Sequence, residues 1–392
     1  MLVTRKFPVL LILSLIFFCF SCDANIKIEE TMERKIQQVK KEYAPDTRVE
    51  IFDIDVKYRG GGLYFEGVTS SQKAYDRINQ IIKNSPQKNI TNQVRLLPEK
   101  NLEYKHGIIN LSVGNIRSES NHPSQLVTQA LLGTPVKIFQ KDSWWYRIQT
   151  PDNYIGWIDA TGVFEMKKED LKKWNDSDKI IYTDHFGSIY QEKDKLSQII
   201  SDVVMGNILK LIKTSPDWYK VNFPDSRTGY IEKDKAKTIE EWQNQIEISG
   251  ESIVRLAKSF LGIPYLWGGT SIKGADCSGF VKSVYFMHGI ILQRDASQQV
   301  NYGQAVPIEE NYERLQPGDL LFFGKNRITH VGIYIGDYEF IHASGRVKIN
   351  SLNKEAPNYS KGREESLSKA RRIVNSVGEK GISPFKENKY YQ

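Results

Sequence analysis

The chain has 392 residues, of which 40% are hydrophobic and 26% are charged, and its formal net charge is +7. A chain of this length predicts about two to four globular domains, and the composition is ordinary for folded protein. Lys and Arg are interleaved with Asp and Glu, so the sequence lacks the concentrated basic face that nucleic acid requires, and we expect no nucleic-acid partner.

The first 22 residues have the pattern of an export signal. Arg5 and Lys6 precede an apolar run from Leu10 to Phe20, which is too short for a comfortable membrane span. Ser21-Cys22 closes the run as bacterial lipoprotein signals close, so we expect Cys22 to carry a lipid; simple secretion and an uncleaved anchor are the alternatives. The protein is therefore expected to be exported, lipid-anchored to a bacterial membrane and facing the periplasm.

Residues 26–100 predict a small α/β domain. Apolar residues recur at helical spacing in residues 23–44 and 73–82, and alternate in strand fashion in residues 48–56 and 63–68. This segment contains no catalytic constellation, and we interpret it as a spacer or docking domain.

Residues 105–165 and 177–240 predict two small all-β barrels. In the first, strands are expected over residues 107–113, 127–129, 135–140, 144–150 and 154–158, with polar turns between them. The pattern recurs at an offset of roughly 73 residues, with a charged linker helix between the copies. Trp145, Trp157 and Trp218 are expected in the barrel cores.

Residues 246–375 carry a cysteine in a reactive setting. Two of the three cysteines lie in the signal segment, which leaves Cys277 without a disulfide partner in an oxidising compartment. The run from Phe280 to Met287 has helical spacing and places Cys277 near a helix N-terminus, where the helix dipole favours the thiolate. We therefore expect a nucleophile and not an inert core cysteine.

His330 and His342 frame a predicted β-hairpin that turns at Gly336-Asp337. With the turn centred on Gly336, the two histidines oppose each other directly, and Gly332 leaves room on their shared face. His330 would take the thiol proton and His342 would orient its ring, while backbone N–H groups at the start of the cysteine helix serve the oxyanion. A zinc site built from the same three side chains is the alternative, but we expect no metal and no cofactor.

Five motifs in this region resemble the NlpC/p60 cysteine peptidases of bacterial cell walls. They are residues 264–269, 276–280, 315–320, 330–336 and 341–344, and they occur in the family's order. The resemblance implies a papain-like α+β fold with a Cys-His-His triad formed by Cys277, His330 and His342. Residues 111–119, 130–136, 144–148 and 154–158 resemble a bacterial SH3-like domain. The expected architecture is thus multidomain: an α/β N-terminal domain, two SH3-like barrels and the α+β papain-like catalytic domain.

This order of domains is similar to that of enzymes of the dipeptidyl-peptidase VI type. The resemblance implies hydrolysis of the γ-D-glutamyl bond to the diamino acid in murein peptides that have a free N-terminal L-alanine, for recycling of cell-wall peptides. By the same resemblance, Tyr265 helps to shape the oxyanion site, and Asp276 with Ser278 holds the amine of the substrate. An ammonium needs an acceptor when it loses water, and we expect Asp276 to be the only carboxylate beside the nucleophile.

In such enzymes the first SH3-like domain closes the end of the cleft, and Glu119 and Tyr154 are the candidates for that contribution. Glu119 could equally be a solvated loop carboxylate. Trp267, within the first motif, is a further candidate for contact with the substrate.

Alternatives remain for the function. The nearest is an endopeptidase that remodels intact peptidoglycan, and an acyltransferase could use the same triad. A wall-binding lipoprotein could instead act through its SH3-like domains. We expect a monomer. Residues 347–352 predict an edge strand, and the polar segment from residue 354, with its tail at residues 376–392, is expected to wrap the domain or fray.

Overall fold

The computed structural model describes residues 10–309 and 311–392, with side chains from residue 26 onward. The chain divides into two compact units, Met1–Asn101 and Leu102–Gln392. The first nine residues of the predicted signal and the side chain of Cys22 lie outside this description. Within the described part of the chain, no helix is both long enough and apolar enough to cross a membrane.

The first unit packs two helices against a three-stranded sheet. Its elements are α1 (Leu10–Tyr43), β1 (Phe52–Arg59), β2 (Gly62–Thr69), α2 (Gln72–Lys83) and β3 (Ile90–Leu96). Strand β2 pairs antiparallel with β1 and parallel with β3. Phe52, Ile54 and Val56 alternate along β1 with exposed residues and pack in one core with Met32 and Ile36 of α1. The sequence did not indicate β3, because its polar residues hide the alternation.

The second unit begins with a seven-stranded sheet. Its strands are β4 (His106–Ile109), β5 (Val113–Arg117), β6 (Leu126–Leu131), β7 (Pro135–Asp142), β8 (Trp145–Gln149), β9 (Ile155–Asp159) and β10 (Val163–Met166). They are ordered β10-β4-β7-β8-β9-β5-β6. We call residues 106–166 the first β domain. Helix α3 (Lys168–Asn175) follows it.

Residues 179–238, here called the second β domain, repeat this architecture. The strands are β11 (Lys179–Tyr182), β12 (Phe186–Tyr190), β13 (Ile199–Val204), β14 (Ile208–Thr214), β15 (Trp218–Asn222), β16 (Thr228–Glu232) and β17 (Ala236–Thr238). Each begins 73 residues after its counterpart, as Lys179 follows His106, and the sheet order is the same. This regular offset indicates duplication of one unit. Helix α4 (Ile239–Gln245) follows.

One strand expected in the first β domain is interrupted. The segment predicted as a strand over residues 107–113 turns at residues 110–112, which separates β4 from β5. Side chains in that turn bind the second β domain: Asn110 donates to Asp225 and Ser112 to Asp202, each at 2.8 Å. The polar residues that end the strand thus join the two β domains.

The tryptophan expectation holds only in part, since Trp145 is buried whereas Trp157 and Trp218 are half-buried at the barrel surface. Arg147 lies over the ring of Trp157, and Tyr190 packs edge-on against Trp218.

Residues 250–392 form a third region, here called the α+β domain. Its first elements are α5 (Gly250–Ser259), β18 (Thr270–Ser271), β19 (Gly274–Ala275), α6 (Cys277–Phe286), β20 (Ile290–Leu292) and α7 (Ala296–Gln299). They are followed by β21 (Gln304–Val306), β22 (Leu320–Phe323), β23 (His330–Gly336), β24 (Glu339–Ser344), β25 (Arg346–Ser351), α8 (Lys361–Glu364), β26 (Leu367–Arg372) and β27 (Ile382–Pro384).

An antiparallel sheet ordered β21-β26-β22-β23-β24-β25 carries α6 on one face. Phe280 and Val284 of α6 share a core with Val331 and Ile333 of β23, so the N-terminus of α6 is fixed against the strand that begins at His330. Helices packed on an antiparallel sheet make this an α+β domain.

The C-terminal segment is more ordered than its polar sequence indicated. Strand β26 lies inside the sheet between β21 and β22, and β27 pairs with β20. The chain then returns to the first β domain, where Asn388 donates to the Pro151 carbonyl and Tyr390 to Gln149, each at 3.0 Å. The segment therefore wraps the domain and does not fray. Strand β25 lies at the sheet edge, as predicted for residues 347–352.

The first β domain is fastened to the α+β domain around Gln129 of β6. The Thr270 N–H donates to the Gln129 side chain at 3.0 Å, and the Thr270 hydroxyl donates to its carbonyl at 2.9 Å. Nearby, Lys282 of α6 forms a buried ion pair with Asp152 at 2.6 Å. These contacts fix the end of β6 beside residues 264–269, here called the glycine-rich turn, which precede α6.

We expect Gly268→Ala to weaken this junction. Gly268 has a φ of +78°, and a Cβ there would lie 2.4 Å from the Leu126 carbonyl oxygen. Backbone strain and this clash together should lower the free energy of unfolding by about 2 kcal/mol. Urea unfolding measures the loss. The control is Gly362→Ala, where a Cβ meets nothing within 4 Å; equal stability of the two variants would contradict the expectation.

Candidate active site

Cys277 is the first residue of α6 and is buried. Asp276 caps the helix, since its carboxylate accepts the Gly279 N–H at 2.7 Å. The first intrahelical hydrogen bond runs from the Phe280 N–H to the Asp276 carbonyl at 2.9 Å, so the N–H groups of Cys277 and Ser278 are not used by the helix. The sequence-based placement of Cys277 at a helix N-terminus is therefore confirmed.

The glycine-rich turn is held from two sides. The Tyr265 N–H donates to the Gly345 carbonyl at 3.0 Å, and Tyr265 bridges Ala275 just before the helix. The Gly268 N–H donates to Asp276 at 3.0 Å. Tyr265 is thereby fixed close to Cys277, and burial, followed by the charges of Cys277 and Asp276, raises the pKa of the Tyr265 hydroxyl to about 12. This hydroxyl remains a hydrogen-bond donor at neutral pH.

The histidine hairpin differs in register from the prediction. Its turn is centred on Asp337 and Tyr338, both with positive φ, and a bulge lies between Tyr334 and Gly336. The pairing of Ile333 with Ile341 puts Gly332, and not His330, opposite His342. The expectation of directly opposed histidines is therefore wrong, since the residue opposite His342 lies two positions after His330.

The two histidines nevertheless meet, because Gly332 has no side chain between them. A Cβ on Gly332 would lie 3.2 Å from the Cβ of His342 and 3.0 Å from the Phe340 ring. His330 Nε2 lies 2.7 Å from His342 Nδ1, and the rings are nearly perpendicular, at 87°. The sequence expectation that Gly332 leaves room was correct, although the room serves His342.

A chain of hydrogen bonds fixes the protonation of both rings. The Asn350 amide nitrogen donates to the Asn358 carbonyl at 2.8 Å, so the Asn350 side-chain oxygen faces His342 Nε2, 2.9 Å away. His342 must then carry its proton on Nε2 and accept at Nδ1. His330 therefore donates from Nε2, and its Nδ1 is left as the basic nitrogen. Asn350 and Asn358 were not singled out by the sequence, because no motif includes them.

Burial keeps both Cys277 and His330 neutral in the absence of substrate. It raises the pKa of the Cys277 thiol to about 11, with the Asp276 charge adding to the effect, while hydrogen bonds from the Val331 and Ser278 backbone oppose it. Burial also lowers the pKa of His330 well below its ordinary value. Without substrate the site therefore holds a neutral thiol and a neutral imidazole. The expected thiolate at a helix N-terminus is not favoured here, because loss of water outweighs the helix dipole.

Asp276 is not the only carboxylate at this site, contrary to the sequence-based inference. The fully buried Arg294 binds both Asp276 oxygens, at 3.1 and 2.5 Å, and the Ser278 hydroxyl at 3.0 Å. Asp295 lies 3.9 Å from the same guanidinium. The side chain of Asp295 is 29% exposed and that of Asp276 is 10% exposed. Asp276 is thus committed to the helix and to Arg294, and Asp295 is the more accessible acceptor.

A cleft runs between the first β domain and the start of α6. It is lined by most of the predicted site residues: Tyr154, Tyr265, Trp267, Asp276, Cys277 and Ser278, together with Asp295. The Tyr154 hydroxyl reaches across from the first β domain to within 3.4 Å of an Asp295 oxygen. Trp267 is largely exposed at this cleft.

Among the residues predicted to bind the substrate, Glu119 is the exception. It is exposed and is not part of the cleft lining. Its loop folds back on itself: Asn121 donates to the Glu119 carboxylate at 3.3 Å, and the Ser124 hydroxyl donates to the Glu119 carbonyl at 3.1 Å. These local contacts explain why the structure does not bring Glu119 to the cysteine.

The hydrogen bonds of His342 leave it without a nitrogen that could bind a metal. Both ring nitrogens of His342 have protein partners, so neither offers a lone pair to an ion. Across residues 10–309 and 311–392, no group of three or more His, Cys, Asp and Glu side chains is placed to hold one.

Two parts of the chain match known protein families. Residues 262–362 match the NlpC/P60 family, and residues 116–163 match the bacterial dipeptidyl-peptidase SH3 domain. A γ-D-glutamyl-L-lysine dipeptidyl-peptidase of Bacillus cereus is 33% identical over 59% of this chain and 72% of its own length. Dipeptidyl-peptidase 6 of Lysinibacillus sphaericus is 29% identical over 65% of this chain and 94% of its own.

A solved structure gives the same picture. The crystal structure of an NlpC/P60 family protein from Bacillus cereus superposes with a TM-score of 0.59 and 26% identity, covering 68% of this chain and 99% of that one. The resemblance inferred from the sequence motifs is therefore confirmed.

We expect Asn350→Leu to slow alkylation of Cys277 by iodoacetamide at neutral pH by about tenfold, because His342 loses the acceptor that fixes its tautomer. Asn350→Asp should keep the rate, with the acidic limb of its pH profile moved to higher pH, since a carboxylate raises the pKa of a nearby imidazole. The exposed Asn375→Leu is the control. A rate for Asn350→Leu equal to that of the control would contradict this network.

Stability should fall in mild acid because His342 is buried in its neutral form. Burial is the main cause that lowers its pKa to about 4. Between pH 6.5 and 4 the unfolded chain therefore binds a proton that the folded chain does not, so this contribution is complete above about pH 6.5 and is lost as the pH falls.

The measurement is urea unfolding at about pH 7 and about pH 4.5. The loss of unfolding free energy should be larger for the wild type than for His342→Gln by on the order of 2 kcal/mol. Equal losses would show that His342 does not carry the effect.

Proposed function

Since the chain belongs to the NlpC/P60 family and is a cysteine peptidase, we propose that it hydrolyses the γ-D-glutamyl bond to the diamino acid in free murein peptides, releasing L-Ala-γ-D-Glu. The relatives named γ-D-glutamyl-L-lysine dipeptidyl-peptidase and dipeptidyl-peptidase 6 support this reaction class. Such an activity would serve the recycling of cell-wall peptides.

The observation that carries the proposal is the charge balance at the end of the cleft that the Tyr154 hydroxyl closes against Asp295, here called the closed end. Two carboxylates, Asp276 and Asp295, share one buried guanidinium, that of Arg294. The group has a net charge of −1, which a single ammonium balances. Tyr154 stands at the same end, with its hydroxyl against Asp295. We assign this end to the free amine of L-alanine, with Ser278 and Trp267 along the path to Cys277.

Closure by Tyr154 also supports the choice of a short substrate. In an intact wall the L-alanine nitrogen is an amide that continues into the sugar chain, so it carries no charge and needs an exit. A closed end gives the sugar chain no exit, and a net-negative end gains nothing from an uncharged amide. An endopeptidase for intact peptidoglycan would need an open cleft at this point.

In the proposed reaction, Cys277 Sγ attacks the γ-carbonyl carbon of D-glutamate as its proton passes to His330 Nδ1. The oxyanion is held by the N–H groups at the start of α6 that the helix does not use and by the Tyr265 hydroxyl. The C–N bond breaks as the His330 imidazolium gives the proton to the leaving amine, which departs and leaves a thioester. His330 then takes a proton from water as the water oxygen attacks the thioester carbon. The C–S bond breaks, L-Ala-γ-D-Glu leaves as the acid, and the His330 imidazolium returns its proton to Cys277 Sγ. His342 and Asn350 hold the ring of His330 throughout.

The test compares two peptides by mass spectrometry: L-Ala-γ-D-Glu-L-Lys with a free amine, and the same peptide attached through that amine to muramic acid. We expect cleavage of the free peptide only, and its loss in Cys277→Ala. Asp295→Asn should reduce cleavage of the free peptide by about tenfold, through weaker binding of the ammonium.

Cleavage of both peptides by the wild type would instead indicate a wall-remodelling endopeptidase. Cleavage of neither would favour a wall-binding protein that acts through its SH3-like region.

A further inference from the structure

Arg363, on the short helix α8, lies next to the histidine pair. Its guanidinium carbon is 5.6 Å from the centroid of the Phe323 ring. The centroid of that ring is in turn 5.7 Å from the centroid of His330. One aromatic ring therefore has a permanent cation and the base of the active site as neighbours.

This cation has no counter-ion. Arg363 is half-buried, and among the described residues its guanidinium forms no hydrogen bond and no ion pair. The ion pairs of its neighbours are made elsewhere, as Lys361 pairs with Glu365. A partly dehydrated charge without a partner is unfavourable, and an anion that binds there restores the balance.

The charge of Arg363 acts electrostatically on the histidines of the active site. After burial, its charge is the next cause that lowers the pKa of His330, and it also lowers the pKa of His342. Conversely, burial lowers the pKa of Arg363, and the charges of Cys277 and Tyr265 oppose this. Arginine remains protonated throughout the range in which enzymes work. The guanidinium therefore lies close enough to Cys277, Tyr265 and the two histidines for its charge to act on them.

The cleavage reaction indicates which anion of the substrate lies near Arg363. In the proposed reaction, His330 gives a proton to the leaving nitrogen, so that nitrogen must lie within hydrogen-bond reach of its ring. The leaving nitrogen is bonded to the Cα of the diamino acid, and the same Cα carries the α-carboxylate. The acyl half of the substrate occupies the closed end, beside Tyr154 and Asp295, and Arg363 is not part of that lining.

We propose that Arg363 binds the α-carboxylate of the diamino acid in the leaving group and so selects murein peptides that end at this residue. A guanidinium and a carboxylate fit each other through two parallel hydrogen bonds, a geometry that an ammonium or an amide does not reproduce. This inference rests on the function proposed above and adds a specificity on the opposite side of the scissile bond.

The test uses L-Ala-γ-D-Glu-L-Lys as the free acid and as its C-terminal carboxamide, which has the same shape without the charge. In the wild type, kcat/KM for the acid should exceed that for the amide by about tenfold. Arg363→Gln should lower kcat/KM for the acid alone, mainly through KM, and so abolish the preference. Arg363→Lys should restore part of it, and the exposed Arg314→Gln should leave it unchanged.

The ratio between the two substrates is measured in one preparation, so partial unfolding of a variant does not affect it. Equal cleavage of acid and amide by the wild type, or an equal loss of both in Arg363→Gln, would overturn this inference and leave the proposed function intact. Failure of the wild type to cleave either peptide would overturn both.

Discussion

The carboxylate of Asp276 connects the three parts on which the site depends. It caps α6 and so fixes Cys277, it accepts the N–H of Gly268 in the glycine-rich turn, and it binds the buried Arg294. Arg294 then donates to Thr128 of the first β domain at 2.9 Å. Loss of this carboxylate would leave a buried guanidinium unpaired, which is among the more damaging changes a core can suffer. The nucleophile, the closing domain and the amine end are thus positioned by one side chain.

The same burial that secures this geometry determines the chemistry. Burial disfavours both the Cys277 thiolate and the His330 imidazolium, so these two groups are neutral at rest although the cysteine lies at a helix N-terminus. The protonation pattern is imposed instead by hydrogen bonds that run from Asn358 through Asn350 and His342 to His330. An orienting histidine with an amide behind it fixes the tautomer without adding negative charge. The ion pair of Cys277 thiolate and His330 imidazolium then needs to form only when a substrate is in place.

Local signals predicted the individual reactive groups well. Helical spacing placed Cys277, strand alternation and a tight turn paired His330 with His342, and the repeat offset of 73 residues recurs in the strand positions. Register was less accessible, because the turn is centred on Asp337 and Tyr338 and not on Gly336, and no pattern in the sequence indicates this turn or the bulge between Tyr334 and Gly336.

Long-range contacts between polar residues could not be predicted. Arg294 and Asp295 reach the site from the segment between β20 and α7, Asn350 from β25 and Arg363 from α8. Each is typical of a solvated surface residue when only its neighbours in sequence are known. Glu119 shows the converse, since local hydrogen bonds in its loop hold it away from the cleft.

The neutral resting site is tested most directly by the nitrogen NMR of histidine. Spectra of ¹⁵N-histidine-labelled protein at neutral pH, without substrate, report which ring nitrogens carry protons, and His330→Gln and His342→Gln assign the signals. The account predicts that both rings are neutral and protonated on Nε2. A doubly protonated His330 beside a Cys277 thiolate, or a proton on His330 Nδ1 alone, would contradict it.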